Sequence, residues 1–401
     1  MKILLLNDAA TPGGGAEVMT IALRDELRTR GHDARIFASS AQYGEQASAA
    51  DYSCFGTTSG LRTANRVFNV SAYWKLRSVL SAFRPDVVHV RMFFTQLSPS
   101  ILPLLRRFPS IYHACWYESI CPTGLKLLPD GAVCQDAAGM ACCRNGCISR
   151  KALLPLTLQQ HLWQRWRNVF DVIVANSNAL GRTLEENGID HVEVVWNGVP
   201  VVAERLPLVS PPTAAYAGRL SWEKGVDVLL QSFPEVVAQI PDAQLLIAGD
   251  GPQRGELDRL VEHLGLGDHV QFLGHRRRDE LQHQLEGAWV HVVPSRLDEP
   301  FGVAAAEAMM RGTAVVATFA GGLSELVEDD RTGVFVPRGD IGALSTAIVR
   351  LLNDRILAEQ LGSAGRRRAM THFSMTTYAD KLTALYESLS QPSSSTAGLV
   401  T

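Results

Sequence analysis

Residues 298–312 read DEPFGVAAAEAMMRG, and this stretch predicts a short helix that lies flat on a sheet. The helix is expected to run from Val303 to Arg311, because alanine favours helix and Gly312 stands where glycine is common just past a helix C-terminus. The four alanines within it give the helix a thin waist, which suits close packing against strands. The stretch therefore favours an α/β fold, and the rest of the chain is interpreted as its scaffold.

The same stretch combines an anion-binding backbone with two carboxylates. Gly302 is predicted at the helix N-terminus, where free N–H groups and the positive end of the helix dipole favour a phosphate. Glu307 is expected to be part-buried, and the vicinal hydroxyls of a sugar would supply the donors that such a carboxylate needs. Glu299, eight residues earlier, can point at a second set of hydroxyls. Either glutamate alone is explained more simply by a terminal charge or an internal salt bridge, but the combination favours a ligand site.

Composition bounds the class of protein. With 401 residues, 46% hydrophobic and 20% charged, the chain is expected to form two globular domains of about 150–200 residues each. A formal net charge of −3 gives no global attraction to nucleic acid, so no nucleic-acid partner is expected. No apolar run reaches the ~18 residues that cross a bilayer, and MKILLLNDAA reads as a first strand rather than a signal peptide. These features predict a cytoplasmic protein.

Apolar segments suited to buried strands alternate with helical segments along the chain. The predicted strands are residues 2–7, 34–38, 87–90, 111–114, 172–175, 192–195, 213–217, 244–248, 270–273, 290–293, 313–317 and 334–336. This alternation predicts parallel sheets with helices on both faces, whose ligands gather at the carboxyl ends of the strands. Four prolines in 199–212 mark a linker between domains at 1–198 and 213–372, and the Ser-rich tail at 391–401 is predicted to be disordered.

A glycine-rich loop follows the first strand. The segment TPGGGAE (11–17) leads into a helix predicted over 18–30, and its glycines let the backbone approach a ligand, although glycine at such a turn also serves conformation alone. The spacing is not that of a dinucleotide fingerprint, and Ser39 stands where a ribose-binding acid would be expected. His113 lies near the end of its predicted strand. A lone histidine is usually structural, but this one is placed at the ligand-facing edge.

The stretch LRTANRVFNVSAYWKLRSVLSAF (61–83) reads as one basic, aromatic helix. It can rest on anionic lipid, or it can face the core with a solvated basic side, which is the commoner case. The aromatic stretch LWQRWRNVF (162–170) is a second feature compatible with a lipid-linked acceptor at a membrane surface.

Residues 115–150 interrupt the α/β pattern and are rich in cysteine. Clustered thiols in a cytosolic chain suggest a metal before they suggest disulfides. Cys121, Cys134, Cys143 and Cys147 are therefore candidates for a structural zinc site. Because paired C-x-x-C motifs are lacking, the alternative is a long loop of reduced cysteines that contacts the acceptor.

The second half places glycines and cations at its strand ends. Gly218 and Arg219 follow the strand predicted at 213–217, and Lys224 precedes the next helix. Gly274 follows the strand predicted at 270–273. Two cations in this position suit a diphosphate. Because the carboxyl ends of parallel strands share one edge, these groups are expected to converge on 298–312.

The order of these motifs resembles glycosyltransferase family 4. The motifs are GGGAE (13–17), WNGVP (196–200), GRLSWEKG (218–225), LLIAGDGP (245–252), VQFLG (270–274), VVPSRLDEPFGVAAAEAM (292–309), GGLSELV (321–327) and TGVFVP (332–337). The resemblance spans almost the whole chain and is strongest in the C-terminal half. It implies the GT-B fold: two Rossmann-like domains facing a central cleft, with the donor nucleotide in the C-terminal domain. It also implies a last helix, 373–390, that crosses back to the N-terminal domain.

The resemblance also implies roles for the C-terminal residues. By position, Arg219 and Lys224 would hold the diphosphate, Glu307 the ribose and Glu299 the hydroxyls of the transferred sugar. Further donor contacts are implied for Gly218, Gly274, Phe301, Gly302 and Val303.

In the N-terminal domain, the resemblance implies that Gly14 and Gly15 contact the diphosphate. His113 corresponds to a family histidine near the donor sugar. Ala114 follows it where the family frequently has aspartate, so this sugar contact departs from the family pattern.

The implied reaction is transfer of a sugar from a UDP- or GDP-sugar with retention of configuration. The leaving phosphate oxygen would serve as base, and no catalytic metal is expected. The acceptor would be a glycan, a lipid-linked or a small-molecule hydroxyl in cell-surface polysaccharide or glycoconjugate biosynthesis, with peripheral contact at the inner face of the membrane. The alternatives are a sugar-nucleotide epimerase of the same fold and a non-catalytic sugar-nucleotide-binding subunit.

Overall fold

The computed structural model describes residues 1–11, 14–41, 47–59 and 62–390. The tail at 391–401, predicted to be disordered, lies outside the described residues. The chain divides into two compact units. The first contains Met1–Pro129, Cys134–Gly198 and the chain from Met375 onward; the second contains Asp130–Val133 and Val199–Ser374.

The first unit is built on a parallel sheet. Its described strands are β1 (Lys2–Leu6), β2 (Asp33–Ser39), β3 (Tyr52–Cys54), β4 (Val87–Val90), β5 (Ser110–Ala114), β6 (Val172–Ala175) and β7 (Val192–Val194), in the order β3-β2-β1-β4-β5-β6-β7. The helices before the second unit are α1 (Gly15–Thr29), α2 (Arg62–Val67), α3 (Val70–Phe83), α4 (Met140–Arg144), α5 (Arg150–Trp166) and α6 (Asn178–Glu186). Leu5 of β1 pairs with Ile36 on one side and His89 on the other, which places β1 inside the sheet, between β2 and β4.

The second unit repeats this architecture. Its described strands are β8 (Thr213–Ala217), β9 (Gln244–Ala248), β10 (Val270–Gly274), β11 (Val290–Val293), β12 (Ala314–Thr318) and β13 (Gly333–Val336), in the parallel order β10-β9-β8-β11-β12-β13. Its helices are α7 (Val226–Gln239), α8 (Arg254–His263), α9 (Arg278–Gln284), α10 (Val303–Arg311), α11 (Leu323–Leu326), α12 (Ile341–Asn353) and α13 (Arg355–His372). The predicted α/β class with two parallel sheets is confirmed.

The last helix, α14 (Met375–Ser390), completes the core of the first unit. Tyr378, Leu382 and Tyr386 recur every four residues, so they share one face, and all three are buried with Leu23 of α1. The first unit is therefore closed by the final helical segment of the described chain.

The helix predicted over 61–83 is wrong as a single element, because α2 and α3 are separate. Asn69 stands between them in an extended conformation, and its side chain accepts a hydrogen bond from the Ala72 amide at the start of α3. Its Nδ2 donates to the carbonyls of Phe55 and Gln96. These tertiary hydrogen bonds favour a cap at this position over a continuous helix.

The aromatic stretch at 162–170 lies partly in the core. Trp163 is 1% exposed and packs against Phe93, Phe94 and Tyr112, with ring centroids 5.1 to 5.8 Å away. Phe170 is buried beside it. These two rings stabilise the first unit, and within the described residues no helix is both long and apolar enough to cross a membrane.

Candidate functional site

Helix α10 presents its N-terminus at the carboxyl edge of the second sheet. Gly302 precedes the helix with φ +106°, a left-handed conformation that favours glycine, and a Cβ there would lie 2.5 Å from Leu323. No described side chain caps the helix, so its first-turn N–H groups, beginning at Val303, lack intrahelical partners. Phe301 is 1% exposed and its ring packs edge-on against Phe373, which leaves only its backbone for a ligand.

Glu299 lies in the loop before this helix and is 6% exposed. Lys224 Nζ donates to its Oε1 over 2.6 Å, and Ser295 Oγ donates to the same oxygen over 2.5 Å. No described group donates to Oε2. The lysine and the carboxylate thus form an ion pair, while one carboxylate oxygen keeps its acceptor capacity.

An ion pair fixes the segment that carries Lys224. Lys224 ends a 3-10 turn, Trp222–Lys224, and Arg296 from the loop after β11 reaches across to it. Arg296 donates to both carboxylate oxygens of Asp227 over 2.7 and 2.6 Å, and to the Trp222 carbonyl over 2.8 Å. This bidentate contact joins the Lys224 turn to the Glu299 loop.

The second predicted cation, Arg219, is exposed at the end of β8. No described carboxylate pairs with its guanidinium. Its backbone is held, because Tyr216 Oη donates to the Arg219 carbonyl over 2.9 Å. Neighbouring Gly218 is exposed as well, and its N–H donates to the Ala248 carbonyl. The edge therefore presents an available cation beside an accessible glycine.

Glu307 is half-buried on α10 and already has a partner. Arg278 Nη2, at the start of α9, donates to Glu307 Oε1 over 2.5 Å. Gly274, at the end of β10, adopts φ +70° and accepts a hydrogen bond from the Gly249 amide. Any ligand that uses Glu307 must share it with Arg278 or replace that contact.

In the first unit, Gly14 and Gly15 are exposed at the start of α1. A Cβ on Gly14 would lie 2.6 Å from Glu17 Oε2, so the glycine leaves room for that carboxylate. Burial, the largest cause, raises the pKa of Glu17, and the nearby Asp8 carboxylate adds to this effect.

His113 is fully buried on β5. Its ring stacks on His89 with centroids 5.3 Å apart, and its Nδ1 lies 3.3 Å from Tyr378 Oη. Burial, and then the Arg91 cation, hold the pKa of His113 well below its ordinary value, so the ring is neutral. Its Nε2 has no hydrogen-bond partner among the described residues. The sugar contact implied for this residue stays a prediction.

Two charged residues at the same edge were not predicted. Arg91 follows β4, is 1% exposed, and donates to Tyr378 Oη over 2.7 Å and to Cys115 Sγ over 3.1 Å. Burial, and then the Asp8 charge, raise the pKa of Glu118 to about 7. Perturbed titratable groups concentrate at functional sites. Arg91 could have been identified from the sequence, because it is a charged residue directly after the buried strand β4.

The proposed zinc ligands are not assembled into a metal site. Among the described residues, no group of three or more His, Cys, Asp or Glu side chains is placed to hold a metal ion. Cys143 is part-exposed and its thiol points to the Ser149 carbonyl, whereas the adjacent Cys142 is buried. Adjacent residues on a helix point about 100° apart, so the Cys143 thiol is directed away from the Cys142 thiol.

Comparisons with known proteins identify the family. The model described as Glycosyltransferase Family 4 matches residues 13–202, and the one described as Glycosyl transferases group 1 matches residues 204–368. Together they cover nearly the whole chain. The chain belongs to glycosyltransferase family 4.

Two proteins similar to this family 4 chain are a glycogen synthase and a mannosyltransferase. A glycogen synthase from Mycobacterium tuberculosis is 32% identical over 240 residues, 58% of each chain. A GDP-mannose-dependent alpha-(1-6)-phosphatidylinositol monomannoside mannosyltransferase from Mycolicibacterium smegmatis is 35% identical over 188 residues, 45% of this chain and 49% of the relative. The chain thus spans only about half to three-fifths of the relatives it matches.

A solved structure shares the fold of this family 4 chain. The Anabaena protein HepE in complex with UDP-glucose aligns with a TM-score of 0.68 at 21% identity, over 97% of this chain and 100% of that one. The predicted GT-B fold class is confirmed.

Proposed function

We propose that this family 4 chain is a retaining glycosyltransferase that moves a sugar from a nucleoside-diphosphate sugar to a hydroxyl acceptor. The observation that carries the proposal is the contact of Lys224 and Ser295 with Glu299, in the loop that leads into α10. It sets a cation and a carboxylate oxygen beside a helix N-terminus that favours anions.

The donor side rests on the second unit. The exposed Arg219, Lys224 and the first-turn N–H groups of α10 can neutralise a leaving diphosphate, which is where negative charge develops. Glu299 Oε2 can accept from sugar hydroxyls, and Glu307 can accept from the ribose. A UDP- or GDP-sugar is the proposed donor, supported by a relative named as GDP-mannose-dependent and a shared fold that holds UDP-glucose.

The proposed route to retention requires no protein nucleophile. Glu299 Oε1 is occupied by two donors, so its proposed task is to position the sugar. The acceptor hydroxyl would attack the face from which the diphosphate departs, and a phosphate oxygen would take its proton. No protein carboxylate is then required as a base.

The acceptor side rests on the first unit, where Glu17, Arg91 and Glu118 lie at the carboxyl edge of the sheet. The proposed acceptor is a glycan, glycolipid or small-molecule hydroxyl. A relative named for a phosphatidylinositol acceptor makes a lipid-linked hydroxyl one of the acceptors to test.

The test is to incubate the protein with UDP- and GDP-sugars and candidate acceptors and to follow diphosphate release and the anomeric proton of the product by NMR. A thermal-shift screen of the two diphosphates selects the donor base first, because a ligand that binds the folded state raises its melting temperature. Acceptor-dependent release with a retained anomer is expected. A changed sugar without release would assign an epimerase, binding without turnover a sugar-nucleotide sensor, and an inverted anomer would overturn retention.

A further inference from the structure

The segment Tyr52–Pro85 of the first unit has an unusual charge. It contains no aspartate or glutamate and five cations, which are Arg62, Arg66, Lys75, Arg77 and Arg84. The whole chain has a formal net charge of −3, so the segment carries +5 and the rest of the chain carries −8. Arg62 and Arg66 are half-buried and lie near the Glu118 carboxylate, whereas Lys75, Arg77 and Arg84 are exposed, so the exposed positive charge lies on α3 and just after it.

Helix α3 has two distinct faces. Ala72, Leu76 and Leu80 recur every four residues and are at most 3% exposed, so they anchor the helix on the first unit. Val70 and Trp74 point the other way and are each 57% exposed. The apolar residues on this outer side have no role in the core.

The outer apolar residues form one continuous surface. Phe55 and Phe68 are 51% and 50% exposed, and they line a single open groove together with Val70, Trp74 and Lys75. We call these five residues and Arg77 the α2–α3 face. Several large apolar side chains exposed side by side mark an interaction surface, unlike isolated ones.

The rings of this face are held in place by one another. Tyr73 stacks on Phe68 with centroids 6.5 Å apart and meets the Trp74 ring edge-on at 5.5 Å. The Arg77 guanidinium lies 5.2 Å from the Trp74 ring centroid. An indole and a cation therefore share the outer side of α3.

We propose that the α2–α3 face docks on the surface of an anionic phospholipid bilayer. Tryptophan and phenylalanine bury in the boundary between headgroups and acyl chains, while Lys75 and Arg77 stay at the level of the lipid phosphates. A positive segment on a negatively charged protein has its electrostatic complement in anionic lipid, which attracts each basic residue near the surface. This inference stands apart from the proposed function, because it concerns residues outside the donor and acceptor positions.

The test is flotation of the full chain with vesicles of equimolar phosphatidylglycerol and phosphatidylcholine, and with phosphatidylcholine alone. Binding to the anionic vesicles at low salt is expected, with weaker binding as salt is raised. The triple variant Trp74→Ser, Lys75→Glu, Arg77→Glu should lower the vesicle partition coefficient by roughly tenfold or more, because it removes the aromatic anchor and reverses two charges.

A matched control has the same changes on the second unit: Ile356→Ser, Arg259→Glu and Arg367→Glu. Ile356 is 68% exposed and both arginines are exposed, so this variant makes the same change of charge and removes one exposed apolar side chain elsewhere. It should bind vesicles far better than the Trp74 triple variant. Phe68→Ser alone, expected to weaken binding severalfold, replaces the triple variant if circular dichroism shows that the latter is unfolded.

Three outcomes would overturn the proposal. They are no binding of the wild type to anionic vesicles at low salt, equal binding by the folded face variants and the wild type, and a wild-type dimer that the face variants convert to monomer without any vesicle binding. The last outcome would assign the face to a second copy of the chain.

Discussion

Glu299 receives two donors on one oxygen, and this asymmetry decides what each donor contributes. Both hydrogen bonds end at Oε1. Lys224 contributes a positive charge, whereas Ser295 is neutral and contributes only to the orientation of the carboxylate. Removing one or the other should therefore have different kinetic effects.

Lys224→Ala should lower turnover by at least tenfold, on the order of 1.4 kcal/mol or more in the activation barrier, because the leaving diphosphate loses a cation. Initial rates of diphosphate release with acceptor measure it. Lys151→Ala, at an exposed position on α5, is the control and should be unchanged. Near-normal turnover in Lys224→Ala would remove the proposed role.

Ser295→Ala should reduce kcat about threefold to tenfold and leave the affinity for the free nucleoside diphosphate unchanged, because the serine orients a carboxylate that would touch only the sugar. Steady-state kinetics and isothermal titration with the diphosphate separate these two quantities. A parallel loss of diphosphate affinity would show that Ser295 supports the fold of the loop instead.

The sequence alone identified Lys224, Glu299 and Gly302 as site candidates, because each stands in a motif with a local chemical meaning. It could not identify Arg278 as the partner of Glu307, nor Asp227 as the partner of Arg296. These contacts join residues 29 and 69 positions apart, and no local pattern specifies them.

Helix α10 matches its prediction, since Val303–Arg311 are its bounds in both. Alanine propensity and two flanking glycines act over a few residues, so the prediction needed no tertiary information. The prediction of one helix over 61–83 was wrong for the opposite reason. Asn69 bonds to residues on two other segments, and those contacts outweigh local helix propensity.

The contact between α9 and α10 makes its own prediction. Arg278 occupies Glu307 before any ribose arrives, so Arg278→Ala should tighten binding of the nucleoside diphosphate by up to about fivefold, the range expected for one part-exposed ion pair. Isothermal titration measures the dissociation constant. Arg277→Ala, on an exposed neighbour, is the matched control. Weaker binding in Arg278→Ala would instead make this arginine a nucleotide ligand.

The two parallel-sheet units could be predicted, because buried strands appear in the sequence as apolar runs between helical segments. The short strand β3 and the inclusion of Asp130–Val133 in the second unit could not. Both depend on where a loop packs after the units have formed, which composition does not encode.

Acid should destabilise the protein through its buried neutral histidines. Burial, and then the Arg311 cation, lower the pKa of His291 to about 3. The unfolded chain, with an ordinary value near 6.5, therefore binds the proton first, so this contribution to stability is complete above pH 6.5 and falls as the pH drops from about 6.5 towards 3. The loss is about 2 kcal/mol at pH 5.

Thermal unfolding at pH 7.5 and pH 5.0 tests this sign. His291→Leu should lose less stability on acidification than the wild type, by about 4–8 °C in melting temperature for a unit of this size. An equal acid-induced drop in both proteins would show that His291 does not titrate between the folded and unfolded states.

The position of α14 has a consequence for synthesis on the ribosome. The second unit is complete in sequence before Met375 emerges, whereas the first unit lacks the helix that covers Met19 and Leu23 until Met375–Ser390 have been translated. The half made first is therefore the half that matures last. During that interval its uncovered apolar surface is a natural target for chaperones, and a fragment ending at Gly198 would be expected to aggregate.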